Sequence, residues 1–350
     1  MSVPTEQKVW ILANPPAAEL LPDTFSLETR PLPDLQEGDV LIQVEYLSND
    51  PAQRGWMQKD VDPKRLYVPP VYKGDAIRAT GIARVLKSKS AKYPEGSRVT
   101  GSFAWYDYAV VNESKITGAA IELPNKPYAS LSVFGMTSVT AYQGIFDVLD
   151  VKPEHTVIVS GAAGAVGSTA VQFAKNVIGA KRVVGIAGGA AKCAWVKQLG
   201  ADECVDYKDP NFAANLKAAL NGEFADRVFE NVGGDVLNAT LPLVKRFGKI
   251  AFCGMISAYN GENPNVSNLF EIITNRITLQ GFIVIDFLGK WASAVQNVAG
   301  WIKEGKVAID DVETVVSATI EDVPEKYKLL FTGSNRGKLV TALVAKTSSL

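Results

Sequence analysis

A change of period near residue 160 constrains this 350-residue chain more than any other feature. Thr156 to Val159 is an apolar run of strand length, and glycines follow at Gly161, Gly164 and Gly167. Beyond them Val166, Ala170, Phe173, Ala174 and Val177 recur at helical spacing through Ile178. Strand, glycine turn and helix, in that order, form the context a dinucleotide-binding turn needs. Backbone without Cβ atoms approaches a pyrophosphate closely, and a helix N-terminus offers free N–H groups and a positive dipole end. A tight turn ahead of a packing helix shows the same glycines, so the residues downstream must decide between the two.

A second apolar run, Arg182 to Ile186, ends about 25 residues after Gly161, where an NAD site usually carries an acid for the ribose 2′-hydroxyl. Here the run continues Ala187-Gly188-Gly189 with no acid, and Lys192 comes shortly after. A carboxylate there would repel a 2′-phosphate, whereas a lysine binds one as a point charge. The expected cofactor is therefore NADP(H) rather than NAD. The competing reading of Lys192 is an ordinary solvated helix lysine.

Composition closes off several classes. The formal net charge is −1, which gives no electrostatic footprint for nucleic acid or an anionic membrane surface. No apolar run reaches the roughly 18 residues a bilayer span needs, and Met1 to Lys8 lacks a signal-peptide core. Cys193, Cys204 and Cys253 have no framework spacing, which fits a reducing cytoplasm. Residues 1–150 hold neither Cys nor His, and His155 is the single histidine. Zinc sites need such ligands at short spacing, so no metal site is expected. His155 reads as a surface-loop residue beside the first cofactor strand.

The fold class expected is α/β, with two domains. Residues 8–112 read as short strands, Lys8 to Ala13, Val40 to Tyr46, Ile77 to Leu86, Arg98 to Phe103 and Tyr106 to Val111, punctuated by Pro and Gly. They suggest a barrel-like β domain. Leu131 to Ile145 reads as a buried helix. From 156 onward strands and helices alternate, the pattern of a doubly wound parallel sheet, with strands at 156–160, 182–186, 203–206, 226–230, 249–253 and 277–282. Helices are expected over Ala190 to Leu199, Val236 to Phe247 and residues 288–304. Ile277 to Ile285 is apolar on both faces, which suits a buried strand. Thr314 to Ile320, a short helix near Pro324 to Phe331 and a last strand, Lys338 to Leu343, return to the first domain. The expected division is 1–130 with 316–350, and 131–315.

Several runs carry a family resemblance: Asn49-Asp-Pro-Ala-Gln-Arg54, Thr140-Ala-Tyr142, Gly161 to Ser168, Lys192, Tyr207-Lys208, Glu230-Asn-Val-Gly-Gly234, Cys253-Gly-Met-Ile-Ser-Ala-Tyr-Asn260, Leu279-Gln-Gly-Phe-Ile-Val284 and Gly333-Ser-Asn-Arg-Gly-Lys338. The chain resembles the zinc-independent medium-chain dehydrogenases/reductases, in the branch of leukotriene B4 dehydrogenase/prostaglandin reductase and plant alkenal double-bond reductases. The resemblance implies a Rossmann NADP-binding domain and a GroES-like substrate domain completed by the C-terminal segment. It also implies a homodimer whose sheets pair across the dimer axis. Gly164, Ala165, Val166 and Gly167 would carry the pyrophosphate. Gly188, Lys192 and Tyr207 would surround the 2′-phosphate. Asn231, Cys253, Ser257 and Tyr259 would follow strand ends near the cofactor. Phe282, Ile283 and Val284 would flank the nicotinamide, and Asn335 would reach it. Each has a plainer role open to it: Cys253 as a small buried hydrophobe, Phe282 and Val284 as core, and Asn231 and Asn335 as turn formers.

One run departs from the family, which often has Tyr and Met where Ala52 and Gln53 stand here. That leaves the substrate wall open, with Ala52, Arg54, Tyr72 and Trp105 as candidates, Arg54 being structural or cleft-facing, and Tyr46 and Trp56 as further aromatics. The activity implied is NADPH-dependent reduction of the C=C bond of α,β-unsaturated aldehydes and ketones. Charge developing on the carbonyl oxygen calls for a donor, and Tyr259 is the candidate, since an ordinary tyrosine pKa of about 10 keeps it protonated at neutral pH. The α-carbon proton comes from Tyr259 or from water. Tyr259 as a cofactor-ribose contact, a quinone reductase, a carbonyl or alcohol dehydrogenase, and a non-catalytic NADPH-binding protein stay open at this stage.

Overall fold

The computed structural model describes residues 3–261 and 264–345. The chain divides into two compact units, one of Met1–Leu131, Thr314–Asn335 and Leu339–Leu350, the other of Ser132–Glu313 and Arg336–Lys338.

Alternating burial builds the first unit. β1 (Glu6–Leu12) and β2 (Phe25–Pro31) pair antiparallel. β3 (Asp39–Ser48), β4 (Arg78–Ser88), β5 (Arg98–Ala104), β6 (Tyr108–Asn112) and β7 (Ile116–Ala119) form an antiparallel sheet in which β4 lies beside both β3 and β5. The short helix α1 (Ala52–Trp56) follows β3. The core of this unit gathers Ile42, Leu47, Val85, Phe103 and Trp105.

The second unit opens with α2 (Met136–Tyr142), continued by a π-helical turn. Then come β8 (Thr156–Val159), α3 (Ala165–Gln172), β9 (Arg182–Ala187), α4 (Ala190–Gln198), β10 (Glu203–Asp206), α5 (Phe212–Ala219), β11 (Ala225–Glu230), α6 (Gly234–Thr240), β12 (Val244–Phe252), α7 (Phe270–Thr274), β13 (Thr278–Gly281) and α8 (Trp291–Lys303). The six strands form one parallel sheet in the order β10-β9-β8-β11-β12-β13. All four residues of β8 are buried, as a central strand covered on both faces requires. The strand order reverses between β8 and β11, and open α/β sheets bind ligands beyond the carboxyl ends at such a switch point. Farther along, β14 (Glu313–Ala318), α9 (Val323–Thr332) and β15 (Lys338–Leu343) follow, with β15 pairing antiparallel to β3.

Two expectations are corrected. The helix expected over Val236 to Phe247 stops at Thr240, and Val244 already begins β12. Pro242 lies between them, and a ring without an N–H cannot continue the helix. The stretch Ile277 to Ile285 is not a buried strand. β13 pairs with β12 on one side only, and all four of its residues are exposed.

The glycine turn fixes how closely α3 approaches β8. Gly161 has φ +58°, and a Cβ built on Gly167 would lie 2.3 Å from the Gly161 carbonyl oxygen. Gly167→Ala should therefore destabilise the protein by about 1–3 kcal/mol, the usual cost of overpacking, read as a lower denaturation midpoint. Gly55→Ala, whose Cβ would meet nothing within 4 Å, is the control that should not share the loss. Equal midpoints for Gly167→Ala and wild type would contradict the close packing.

Candidate active site

The site is built from strand ends of the second unit, beginning with β9 and β10. β9 runs out into Gly188-Gly189, and α4 starts at Ala190, so Gly188 and Lys192 stand one helical turn apart at the start of α4. A Cβ on Gly188 would lie 2.8 Å from the Tyr207 ring, so Tyr207 packs directly on that glycine. Asp206 holds the two segments together, its Oδ1 accepting from the Gly189 N–H at 2.8 Å and the Lys208 N–H at 2.9 Å. These amides keep the Asp206 carboxyl below its ordinary range. Lys192 is half-buried, and burial, then the nearby Lys208 charge, hold its pKa below the ordinary lysine value. Two cations thus meet beside a glycine and an aromatic ring. An anion would relieve their repulsion, and the donor set suits a phosphate on a ribose.

The next segment is the turn between β8 and α3. Gly164 N–H donates to the Gly161 carbonyl at 2.9 Å, and Ala165 opens the helix. Gly164, Ala165 and Val166 are partly exposed while Gly167 is buried. Gly164 caps the helix in extended backbone and no side chain caps α3, the end at which a helix leaves its first amides without intrahelical partners. The segment Arg336–Lys338 docks here: the Gly337 N–H donates to the Ala163 carbonyl at 2.9 Å, and Gly337 forms a parallel bridge with Gly164.

Beyond β11 and β12 two loops are stitched together. The Cys253 and Gly254 N–H groups donate to the Glu230 carbonyl at 2.8 and 3.3 Å. The Ile256 N–H donates to the Asn231 carbonyl at 3.2 Å, and the Ser257 N–H to the Val232 carbonyl at 3.1 Å. Ser257 adds its hydroxyl to the same carbonyl at 2.6 Å. Asn231 is fixed from both ends by Ser160: its N–H donates to Oγ at 2.8 Å and its Nδ2 to the carbonyl at 2.7 Å. The Tyr259 hydroxyl packs against Gly254, where a Cβ would lie 3.2 Å from it. Burial, and then Glu230 beside it, push the Cys253 thiol up to about 12.

The structure thus brings Asn231, Cys253, Ser257 and Tyr259 into one cluster, and Gly188, Lys192 and Tyr207 into another. Phe282 and Val284 are only 7% exposed; Phe282 packs edge-on to Phe229, and Val284 joins Val139 and Ala294. Their side chains are core, and Ile283 between them is half-buried. Asn335 belongs to the first unit, one residue before the segment that docks on the glycine turn. Of the substrate-wall candidates in the first unit, Ala52 is half-buried and Tyr72 is 57% exposed. Trp105 is 0% exposed and packs between Phe25 and Tyr327, so it is a core residue and not a wall. Arg54 is 1% exposed, bonds the Ala18 carbonyl, and has its pKa lowered by burial. Its interior position settles its choice between structural and cleft-facing in favour of structural. His155 accepts the Lys152 N–H at 2.9 Å, away from both clusters.

Sequence reasoning passed over Ser160, Asp206 and Glu230. Each is a polar residue at the carboxyl end of a parallel strand, the position where a side chain reaches the loop of its neighbour. Among the described residues no group of three His, Cys, Asp or Glu is placed to hold a metal, and no helix is long and apolar enough to cross a membrane.

Two family models match the chain: the N-terminal domain of oxidoreductase over residues 8–118, and zinc-binding dehydrogenase over residues 165–300. A 2-alkenal reductase (NADP(+)-dependent) of Nicotiana tabacum is 39% identical over 308 residues, 86% of each chain. Prostaglandin reductase 1 of Mus musculus is 34% identical over 321 residues, 90% of this chain and 93% of its own. The crystal structure of CurA from Vibrio vulnificus in complex with NADPH superposes with a TM-score of 0.86 at 32% identity, covering 97% of this chain and 100% of its own. With its glycine turn, its reversed parallel sheet and relatives of this identity along nearly its whole length, the chain belongs to the zinc-independent medium-chain dehydrogenases/reductases, in the branch of prostaglandin reductase 1 and the 2-alkenal reductases.

Proposed function

We propose that this protein is an NADPH-dependent reductase of the C=C bond of α,β-unsaturated aldehydes and ketones. The observation that carries the reading is the Tyr259 hydroxyl, set against Gly254 in a loop bonded to the Asn231 turn. The names of the tobacco and mouse relatives support the same reaction class. The residues present fit the cofactor. Gly164 to Gly167 would meet the pyrophosphate, Gly188, Lys192 and Tyr207 the 2′-phosphate, and Asn231, Cys253, Ser257 and Ile283 the nicotinamide end.

When bound, the reduced nicotinamide supplies a hydride to the β-carbon of the substrate. Negative charge then gathers on the substrate carbonyl oxygen, and Tyr259 donates its hydroxyl proton in a hydrogen bond to that oxygen. The rigid bonding of residues 253–257 to residues 230–232 holds the loop that carries Tyr259, so little reorganisation is needed as charge develops. The α-carbon is then protonated from Tyr259 or from water.

The exposed edge strand supports a homodimer. Among the described residues no strand pairs with the outer edge of β13, and Leu279 at 40%, Phe270 at 71% and Ile273 at 69% exposure are close by in sequence. Such an edge invites pairing with another strand, and a second copy supplies an identical one. Light scattering at micromolar concentration should give twice the 37.6 kDa chain mass; a monomer mass refutes the assembly.

Lys192→Ala should raise the NADPH dissociation constant about 10- to 100-fold, the worth of one charged contact, and leave NADH nearly unchanged. Equal losses with both cofactors would remove Lys192 from the 2′-phosphate.

The reaction itself is tested by following NADPH oxidation against enals, enones, quinones and simple ketones, with NMR identification of products. Saturated aldehydes and ketones are expected from the first two classes. Turnover of quinones alone, or allylic alcohols as products, would overturn the reading. In the same assay Tyr259→Phe should lower single-turnover hydride transfer by about 10²-fold and alter NADPH binding little. Weakened NADPH binding with an unchanged single-turnover rate would make Tyr259 a cofactor contact only.

A further inference from the structure

Glu230 is the last residue of β11, and it is fully buried in a strand end that is otherwise apolar, Val228-Phe229. Its two carboxyl oxygens live differently. Oε1 accepts the Val232 N–H at 2.6 Å and the Gly233 N–H at 2.7 Å, closing the turn that carries Asn231. Oε2 is buried and has no hydrogen-bond partner. Among the described residues no cation is paired with the carboxyl. An ionised carboxylate left with a buried bare oxygen is among the most costly arrangements a protein interior can hold, whereas a neutral acid in the same place is tolerable.

We propose that Glu230 is a positioning residue that works in its protonated form: one oxygen shapes the 231–233 turn as an acceptor, and the proton sits on the other. The inference rests on the reading of that turn as the nicotinamide end of the cofactor site. It explains why an acid can stand beneath a place where substrate charge becomes negative: the group brings no fixed charge to oppose it. The strand end thus keeps the acceptor the turn amides require and stays electrically silent. Glutamine has the same shape and the same acceptor, with an amide in place of the hydroxyl.

The neighbours leave this titration legible. Just past β8 stands Ser160, whose hydroxyl accepts the Asn231 N–H, and the turn contributes the Val232 and Gly233 amides. Just past β12 stands the Cys253 thiol, which burial holds neutral by pushing it above its ordinary value. Burial raises the Glu230 carboxyl above the ordinary 4.5, outweighing the amides and Ser160, which pull the other way. A native acid that holds its proton more tightly than the unfolded one contributes stability below the ordinary value. That contribution is lost as pH rises through the native value.

The test compares wild type, E230A and E230Q. E230A should lower single-turnover hydride transfer from NADPH to an enone by about ten-fold or more, since the turn amides lose their acceptor. E230Q should restore the rate to within about three-fold of wild type. Without any cofactor, the melting temperature of wild type minus that of E230Q should fall as pH rises from about 5 to about 9; titrations common to both proteins cancel. An E230Q protein that fails to fold, or that loses hydride transfer as E230A does while wild type turns over, overturns the inference and leaves the proposed function standing. A melting difference that grows with pH also overturns it, because the carboxylate would then be the stabilising form. A wild type that transfers no hydride to any enone defeats the proposed function, and the melting comparison still decides the proton on Glu230.

Discussion

The close approach of α3 to the end of β8 governs the rest of the second unit. With Gly167 against the Gly161 carbonyl, the helix starts where the strand stops. No side chain caps that helix start, which lies at the carboxyl end of a central strand of the sheet. The order β10-β9-β8-β11-β12-β13 places β9 on one side of that helix start and β11 on the other. An extended two-nucleoside ligand laid across the edge, as proposed, would meet the β9–β10 end and the β11–β12 end with its pyrophosphate between them.

The two ends differ in charge, and the difference matches what each must do. At the β9–β10 end Lys192 and Lys208 repel one another, and the nearby Asp206 accepts from the Gly189 and Lys208 amides. A phosphate bound there, as proposed, would relieve that repulsion. At the β11–β12 end the groups are hydroxyls, an amide, a neutral thiol and the buried Glu230. Backbone bonds between the loops after β11 and β12 hold them in place. On the proposed reading, recognition is electrostatic at one end and a matter of fixed dipoles at the other, an arrangement suited to charge that appears only in the transition state.

Much of the parallel sheet was legible because central parallel strands are covered on both faces and read as unbroken apolar runs. Thr156 to Val159 and Arg182 to Ile186 are such runs, and the structure has strands there. The same signal misled at Ile277 to Ile285, since an apolar run looks alike whether a neighbour covers it or not. β2 escaped notice because Phe25-Ser-Leu-Glu-Thr-Arg30 alternates with polar residues and owes its strand form to pairing with β1. Within the site, Lys192 could be read from its spacing after the second apolar run, because that strand end and helix start are local events, while Gly188 and Tyr207 rest on the family resemblance. Whether Trp105 and Arg54 line a wall or fill a core depends on partners far off in sequence, Tyr327 for the one and Ala18 for the other. Glu230 was hidden for the same reason. Its burial and its bare oxygen arise only when β8, β11 and β12 come together.

The central claim is that this site delivers hydride to carbon, conjugate to a carbonyl, with Tyr259 receiving the charge that appears on oxygen. Its most direct test is the fate of a label: an enone reduced with NADPH deuterated at the transferred C4 position, and the product examined by NMR. The account predicts a saturated ketone with deuterium on the former β-carbon. Deuterium on the carbonyl carbon of an allylic alcohol would contradict it.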